Sequence, residues 1–205
     1  MEQKKKVNVF KEIAEWVVLI VAAFLIASVI QSELFALTEV NMTSMKDTLI
    51  QGDKLIMNKL AYIGKEPKKG DIIIFLRDEP VGGITGRVTI YISDIGLKLK
   101  GEFRRNRLIK RVIAVPGDKL EIRNNIVYVN DVEQLEPYTR IDPNQGIVSN
   151  GNLEPITIPQ GKLFVMGDNR GESMDSRSFG VIDLKWVEGK AIFRIGPINK
   201  FGTIK

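Results

Sequence analysis

The feature that most constrains the fold of this chain is an uncharged, apolar segment near its start, WVVLIVAAFLIASVIQS, at residues 16–32. As an α-helix these 17 residues extend about 25 Å, close to the roughly 30 Å thickness of the hydrocarbon core of a bilayer. Lysines are concentrated before the segment, which indicates that the N-terminus stays in the cytoplasm. We therefore predict a transmembrane helix over residues 13–33 of a single-pass membrane protein, preceded by a cytoplasmic tail of residues 1–12.

Two other interpretations of the apolar segment stay open. A cleavable signal peptide has the same order of lysines followed by apolar residues. The run is longer than is typical of such a peptide, however, and the best candidate for a cleavage motif, Leu34-Phe35-Ala36, has a bulky residue where a small one is needed. A buried core helix of a soluble domain is the third possibility. We treat the segment as an uncleaved anchor.

Residues 34–205 follow a different pattern, in which short runs rich in Ile, Val and Leu alternate with turn residues. This pattern predicts a mainly β extracytoplasmic domain, and one of the predicted strands is RVTIYIS, at residues 87–93. No long helical period is evident between Lys54 and Lys185. The segment IRNNIVYVND predicts a β-hairpin that turns at Asn124-Asn125.

Two parts of this domain fit the strand pattern poorly. Residues 130–162 are rich in Pro, Asn, Gly and Asp, and we expect an irregular excursion between two strands. Residues 80–107 contain several glycines, followed by the basic run KLKGEFRRNR. An additional hairpin that faces the membrane is one possibility for this second segment, and the sequence leaves it open.

The amino-acid inventory restricts the chemistry. The chain has 205 residues and neither histidine nor cysteine, which excludes a Ser-His-Asp triad, a Cys-His pair and the usual zinc sites. No carboxylate cluster is evident, so we expect no metal and no organic cofactor. The net charge of +5 comes without a nucleic-acid-binding motif, and we attribute it to attraction to anionic membrane lipid. A hydrolase of this composition must use Ser, Thr, Lys, Tyr, Asp or Glu.

Ser44, in the segment NMTSMKDTL just beyond the apolar helix, is a candidate nucleophile in an extended-looking segment. A serine among polar residues is more often a turn or capping residue, so this interpretation depends on a base that could take its proton. A lysine can do so when burial lowers its pKa from about 10.4 toward 7 or 8. Lys46 is close in sequence, but it borders Asp47 and should stay solvated and charged.

Lys110 is the better candidate for this base. It lies in RLIKRVIAVPG, where apolar residues occupy both faces of the predicted strand, and such a strand is a buried one. A lysine there is costly unless it has a function. Arg111, in the same strand, stays protonated and should form a structural ion pair. A further functional signal is the polar loop GDNRGESMDSRSFG at residues 167–180, directly after the apolar run LFVM.

Several segments, in this order, resemble those of bacterial type I signal peptidases, the membrane-anchored serine peptidases that cut signal peptides from exported proteins. They are SMKDTL at 44–49, GDKLIMNK at 52–59, KKGDIIIF at 68–75, IKRVIAVPGD at 109–118 and MGDNRGESMDSR at 166–177. The resemblance covers nearly the whole chain. It implies a mainly β catalytic domain of the signal-peptidase type, a β-sheet or barrel, behind a single transmembrane helix in a bacterial cell membrane.

The resemblance also implies roles for individual residues. Ser44 would be the nucleophile and Lys110 the general base. Ser173 would orient the lysine amine, and Asp175 and Arg177 would stabilise the loop behind it. That loop would begin at Asp168, Asn169 and Arg170. Met45 and Ile109 would line the S1 pocket.

Two positions depart from the pattern of the family. Met42 stands where Gly or Ser is usual, and Asp47 stands where Pro is usual. In some members the hydroxyl at the first position donates to the oxyanion, and Met42 has none. We therefore expect an oxyanion hole made by the Ser44 backbone N–H with help from Thr43, and the loss of one donor costs on the order of 10²- to 10³-fold in rate.

Together these observations predict a serine endopeptidase that removes signal peptides after Ala-x-Ala-like sites, with the substrate bound as an added strand. Its partners would be the signal peptides of exported preproteins and membrane lipid, with no nucleic acid. One alternative is a membrane-anchored β domain that binds peptide or cell-wall material with weak catalysis or none. Another is a different Ser-Lys peptidase, such as a self-cleaving repressor or a peptidase for pilin-like substrates. The oligomeric state stays open.

Overall fold

A computed structural model describes residues 9–139 and 151–204 of the chain. It begins with helix α1, Val9–Glu33, whose stretch Phe10–Ile30 has a mean hydropathy of 2.6. By length and composition, this is the one helix within the described ranges that could cross a membrane, and none of the stretch is buried against the protein. The helix begins before the predicted boundary at residue 13, because apolar residues continue on its N-terminal side.

The remaining elements form two antiparallel sheets and two further helices. In chain order they are β1 Phe35–Glu39, β2 Lys54–Asn58, β3 Ile72–Leu76, α2 Ile84–Leu99, β4 Arg107–Ala114, β5 Lys119–Arg123, β6 Ile126–Val129, β7 Val132–Glu133, β8 Leu153–Thr157, β9 Lys162–Met166, α3 Ser176–Phe179, β10 Ile182–Asp183, β11 Val187–Gly196 and β12 Gly202–Thr203. Short 3₁₀ turns at Lys59–Tyr62, Leu184–Trp186 and Ile198–Lys200 connect some of them.

The larger sheet positions the functional residues. Its strand order is β1-β2-β11-β3-β4-β9-β10, with β12 paired to β11, and every pair is antiparallel. Register shifts interrupt β11 between Ala191 and Phe193 and β4 between Val112 and Ala114. Such bulges bend a strand and increase its twist, so they curl the sheet. The predicted mainly β fold is therefore confirmed.

The smaller sheet has the order β7-β6-β5-β8 and contains the predicted hairpin. Asn124 and Asn125 both have positive φ, at 51° and 67°, which is the backbone geometry of a tight two-residue hairpin turn. The expectation of an irregular excursion over residues 130–162 is wrong at β7, which pairs with β6, and at β8, which pairs with β5. Pro155 in the middle of β8 hid this strand, because proline is tolerated only at the edge of a sheet. Residues 140–150 of that excursion lie outside the described residues.

The segment from residue 80 to 107 is neither a strand nor a hairpin, because α2 occupies most of it. The expectation that no long helix lies between Lys54 and Lys185 is therefore wrong. Apolar residues recur in α2 every three or four positions, at Ile84, Val88, Ile92, Ile95 and Leu99. This is a helical period, which the β-branched residues and interspersed glycines obscured. The helix packs against α1.

Candidate active site

Ser44 lies in a tight turn that follows β1. Backbone hydrogen bonds from Lys46 to Thr43 and from Leu49 to Met45 close this turn, so the expectation of an extended segment around Ser44 is wrong. The apolar side chains of Met45 and Leu49 are buried in the core and fix the turn against the sheet. Ser44 itself is 8% exposed, which leaves its hydroxyl at the edge of the protein interior.

Lys110 extends from the centre of β4 and reaches this serine. Its Nζ lies 2.5 Å from Ser44 Oγ, although the two residues are far apart in sequence. The side chain is 2% exposed, and burial lowers the pKa of Lys110 to about 8. The nearby Asp175 carboxylate opposes this shift and the Arg177 guanidinium adds to it. Lys46, in contrast, is exposed.

The loop after β9 lies against the serine turn. Asn169 donates from its backbone N–H to the Ser44 carbonyl at 3.1 Å and from its side chain to the Thr43 carbonyl at 3.2 Å. Gly167 lies so close that a Cβ there would collide with the Ser44 carbonyl and with Ser173 Oγ. Glycine is therefore required at position 167 for the loop to hold the turn at this distance.

Asp175 and Arg177 hold this loop in shape. The fully buried Asp175 carboxylate accepts two hydrogen bonds of 2.8 Å from the Arg177 guanidinium and one of 3.0 Å from the Gly167 N–H. Burial alone would raise the pKa of Asp175, but the hydrogen bonds and charge of Arg177 outweigh it and hold this pKa below its usual range. Arg177 also donates to the Arg170 carbonyl at 2.8 Å, which ties both ends of the loop together.

Asp168 and Arg111 form a second buried pair at the start of the loop. Arg111 donates to both carboxylate oxygens, at 2.9 and 2.7 Å, so it is an ion-pair partner as its sequence context indicated. Thr48, from the serine turn, also donates to Asp168, at 2.5 Å. Thr48 was not among the predicted residues, because nothing in its local sequence distinguishes it from a surface threonine. Arg170 forms a bidentate pair with Glu136, with both distances at 2.6 Å.

Ser173 does not form the hydrogen bond to Lys110 that its expected role requires. Its Oγ is buried beside Asp175 but has no well-formed hydrogen bond with that carboxylate or with Lys110. The expected orienting bond to the lysine amine is thus not formed in this structure, where Lys110 Nζ is directed at Ser44 Oγ instead. A role for Ser173 in orienting the lysine stays a prediction.

Two cavities open beside the serine. The smaller one, of about 60 Å³, has Ser44, Met42, Met45 and Ile109 in its wall. The larger one, of about 620 Å³, is a groove with Thr43 and Met42 on one side and residues of β4, including Lys110, on the other. The residues expected to bind substrate therefore surround Ser44.

One edge of β4 is open along this groove. β3 pairs with β4 over its residues 107–111, whereas β9 pairs with it only from Arg111 onward. Within the described part of the chain, residues 107–110 therefore have a strand partner on one side only. The described part of the chain holds no group of three His, Cys, Asp or Glu side chains that could bind a metal ion.

A second buried lysine, Lys59, lies in a charged cluster that the sequence did not reveal. Its Nζ donates at 3.0 Å to the Ser32 carbonyl near the end of α1, and burial lowers the pKa of Lys59 while the Glu188 charge opposes this. Glu188 accepts hydrogen bonds of 2.5 and 2.9 Å from Arg107, and Arg107 contacts Asp94 of α2 at 2.6 Å. We refer to these five residues as the junction cluster, because they join α1, α2 and the sheet.

The chain consists of an apolar helix followed by a mainly β domain in which a serine contacts a buried lysine. This arrangement fits a class of serine peptidases that need no histidine. Residues 13–196 match the family model described as "Signal peptidase, peptidase S26", and the chain belongs to this family. It is therefore a serine endopeptidase that removes signal peptides.

Two curated relatives of nearly equal length agree with this assignment. The chain is 33% identical to a signal peptidase I of Bacillus licheniformis, with 98% of this chain and 97% of the relative covered. It is 32% identical to a signal peptidase IB of Staphylococcus aureus (strain COL), with 93% of each covered. A crystal structure of a signal peptidase I from Enterococcus faecalis V583 is 29% identical and covers 62% of this chain and 97% of its own, with a TM-score of 0.42.

Proposed function

We propose that this signal peptidase cleaves preproteins with Ser44 as the nucleophile and Lys110 as the general base. The observation that carries this proposal is the 2.5 Å separation between Ser44 Oγ and Lys110 Nζ. A base must reach the proton that it removes and have a pKa near the working pH. With its pKa lowered by burial to about 8, Lys110 meets both conditions.

The proposed reaction is acyl transfer. Neutral Lys110 takes the proton of Ser44 as Oγ bonds to the scissile carbonyl carbon, and the resulting ammonium group gives this proton to the leaving amine. Water then attacks the ester, Lys110 takes a proton from that water, and the proton is returned to Ser44 Oγ. The mature protein leaves first and the signal peptide second, so no external co-reactant besides water is consumed.

The developing oxyanion would be bound by the backbone of the serine turn. Among the described residues, no acceptor is paired with the Ser44 backbone N–H, which leaves this group available to an oxyanion. Thr43, on the groove side of the turn, is the second candidate donor. Met42 lies at the same place and has no donor in its side chain, so we expect a weaker oxyanion hole than one with a hydroxyl there.

The substrate would bind in the groove as an additional strand. The open edge of β4 at residues 107–110 offers backbone groups for such pairing. The cavity of about 60 Å³ next to Ser44, with Met45 and Ile109 in its wall, has room for a small side chain only. We therefore infer a preference for alanine-like residues immediately before the cleaved bond, with signal peptides of exported preproteins as substrates.

We also infer that α1 anchors the enzyme in the cell membrane, with the N-terminus cytoplasmic and the catalytic domain outside. The support is that none of its apolar stretch Phe10–Ile30 is buried against the described protein, and a helix apolar all round requires an apolar environment. The lysines before the helix favour this orientation. Enzyme and signal peptide would then share one bilayer, which raises their effective concentration.

Cleavage of a purified preprotein by the full chain in liposomes tests this proposal. We expect wild type to release the mature protein and Ser44→Ala to release none above background, since no other group can form the acyl intermediate. Ser93→Ala, which removes an exposed hydroxyl in α2, is the matched control and should cut at the wild-type rate. Mass spectrometry of the mature protein identifies the residues before the cut.

Full activity of folded Ser44→Ala would refute the nucleophile. The alternative of a peptide-binding domain predicts a different result, in which wild type and Ser44→Ala bind the preprotein equally and neither cuts it.

A further inference from the structure

Helix α2 carries an apolar stripe that the described part of the protein leaves largely uncovered. Three of its members, Ile84, Ile92 and Leu99, are 68%, 62% and 84% exposed. Val88 and Ile95 complete the stripe at helical spacing and are partly exposed. An uncovered stripe of this length is uncommon on a surface that faces only water.

The stripe has a polar neighbour on the same helix. Thr85, Thr89 and Ser93 are exposed and lie beside it around the helix axis. The opposite face holds α2 to the catalytic domain through buried Ile90, which packs with Leu76 and Val81. The helix thus has one face bound to protein, one polar exposed face and one apolar exposed face, which is the pattern of a helix at an interface between water and lipid.

The position of α2 identifies what would cover the stripe. The helix packs against α1, and Arg87 of α2 lies 3.7 Å from Glu33, the last residue of α1. The apolar stretch of α1 ends at Ile30, so α2 lies at the level where that stretch gives way to polar residues. If α1 crosses a bilayer, this level is the surface of the bilayer.

The charge at the C-terminal end of α2 suits the same partner. Lys98 and Lys100 flank Leu99 and are exposed, and exposed Arg105 follows a few residues later. Long basic side chains next to an apolar residue can reach lipid phosphates while the apolar residue stays in the acyl region.

We propose that α2 is an interfacial helix that binds the outer surface of the bilayer, with its apolar stripe toward the acyl chains and its basic end at the headgroups of anionic lipid. This inference rests on the proposed anchoring by α1. Asp94, on the protein side of α2, contacts Arg107 at the start of β4, the strand that carries Lys110. A helix bound to lipid on one side and to β4 on the other holds the groove at a fixed height above the membrane.

Single cysteines test this proposal cleanly, because the chain has none of its own. Ile92→Cys and Ser93→Cys, adjacent and both exposed, would each carry an environment-sensitive fluorophore in the full chain, reconstituted in phosphatidylcholine vesicles with phosphatidylglycerol. We expect a spin-labelled lipid to quench the probe at 92 roughly threefold more than the one at 93, since an interfacial helix buries only its apolar side. Aqueous iodide should show the opposite preference.

A second pair, Leu99→Cys and Lys100→Cys, repeats the comparison at the basic end, and only variants that still cut a preprotein are used. Equal quenching of both members of each pair by iodide would overturn the proposal. Protection at 92 that rises with protein concentration, without lipid quenching, would also overturn it by identifying a second copy of the chain as the partner. A probe at Ile20→Cys, inside α1, distinguishes a failure of this proposal from a failure of the proposed anchoring. If lipid does not quench the probe at position 20, the anchoring by α1 is refuted.

Discussion

The two buried lysines show how differently one side chain can be used within one protein. Lys110 is 2% exposed and Lys59 is 6% exposed, and burial lowers the pKa of both. Lys110 Nζ faces a hydroxyl at the edge of an open groove. Lys59 Nζ faces the backbone carbonyl of Ser32, near the end of α1.

Burial therefore does not by itself define a base. Burial lowers the pKa of both amines, but only the environment of Lys110 provides a proton to remove and space for a substrate. Lys59 instead satisfies a carbonyl at a helix C-terminus, which is a place where a cation is stabilising. The partner atom and its access to the groove distinguish the proposed base, Lys110, from the structural lysine, Lys59.

The largest expected difference between the two lysines is in the rate of cleavage when each is replaced by methionine. Lys110→Met keeps the length and apolar stem of the side chain but removes the base, and we expect kcat/KM for preprotein cleavage to fall by roughly 10³-fold or more. Lys59→Met should leave kcat/KM within a factor of a few. Steady-state kinetics of the two reconstituted variants measures both. A comparable loss in both would show that the junction cluster, and not the amine, controls the rate.

The same two variants should differ in stability. The fall in the pKa of Lys110 from 10.5 to about 8 corresponds to about 3 kcal/mol of unfolding free energy at pH 7, because the native state must hold a proton in an unfavourable place. Lys110→Met should therefore be more stable than wild type at pH 7, by up to about 3 kcal/mol. Lys59→Met should gain less, because its relief from burial is offset by about 1 kcal/mol when the Ser32 carbonyl loses its partner.

The way in which the unfolding free energy changes with pH provides the control for this stability difference. Below pH 8 both the folded and unfolded states protonate Lys110, and the full cost is present. Between pH 8 and 10.5 only the unfolded state binds the proton, so wild type gains stability as pH rises and its deficit relative to Lys110→Met closes. Denaturant unfolding in detergent at several pH values measures this. A constant difference across that range would contradict the assignment.

Much of the fold and the serine–lysine pair could be predicted because the evidence for them is local. RLIKRVIAV is apolar on both strand faces, and this pattern alone indicates that Lys110 is buried. The hairpin at Asn124-Asn125 is equally local, since those residue types tolerate positive φ.

The junction cluster could not be predicted because it depends on which strands are neighbours. Arg107 and Glu188 are 81 positions apart, and they meet only because β4 and β11 both flank β3. The same holds for Thr48 and Asp168, which are 120 positions apart. The helix α2 was missed for another reason, since its β-branched residues suggested strands although their spacing is helical.

The pH dependence of catalysis sharpens the contrast between the two lysines further. Because the proposed mechanism requires neutral Lys110, kcat/KM should fall about tenfold per pH unit below pH 8, and level off above it. Burial, opposed by Asp175 and aided by Arg177, sets this value. Lys59→Met should keep the same profile, and the residual activity of Lys110→Met should lose it. An acid limb that persists in Lys110→Met would assign the titration to another group.

The smallest expected effect concerns two buried serines in the loop behind Lys110. Ser173 Oγ is buried beside Asp175 without a well-formed hydrogen bond, whereas Ser176 Oγ accepts one from the Val165 N–H at 3.0 Å. We expect Ser173→Ala to lower kcat roughly tenfold with little change in stability, if its hydroxyl orients the Lys110 amine once substrate occupies the groove.

Ser176→Ala is the matched control and should do the reverse. It removes a formed hydrogen bond to β9, so it should cost about 1 kcal/mol of stability and leave kcat nearly unchanged. Turnover and thermal unfolding of both variants provide the comparison. An unchanged kcat in Ser173→Ala would mean that Lys110 is positioned by its burial in β4 and by Ser44 alone, and the orienting role expected from the family would not apply to this chain.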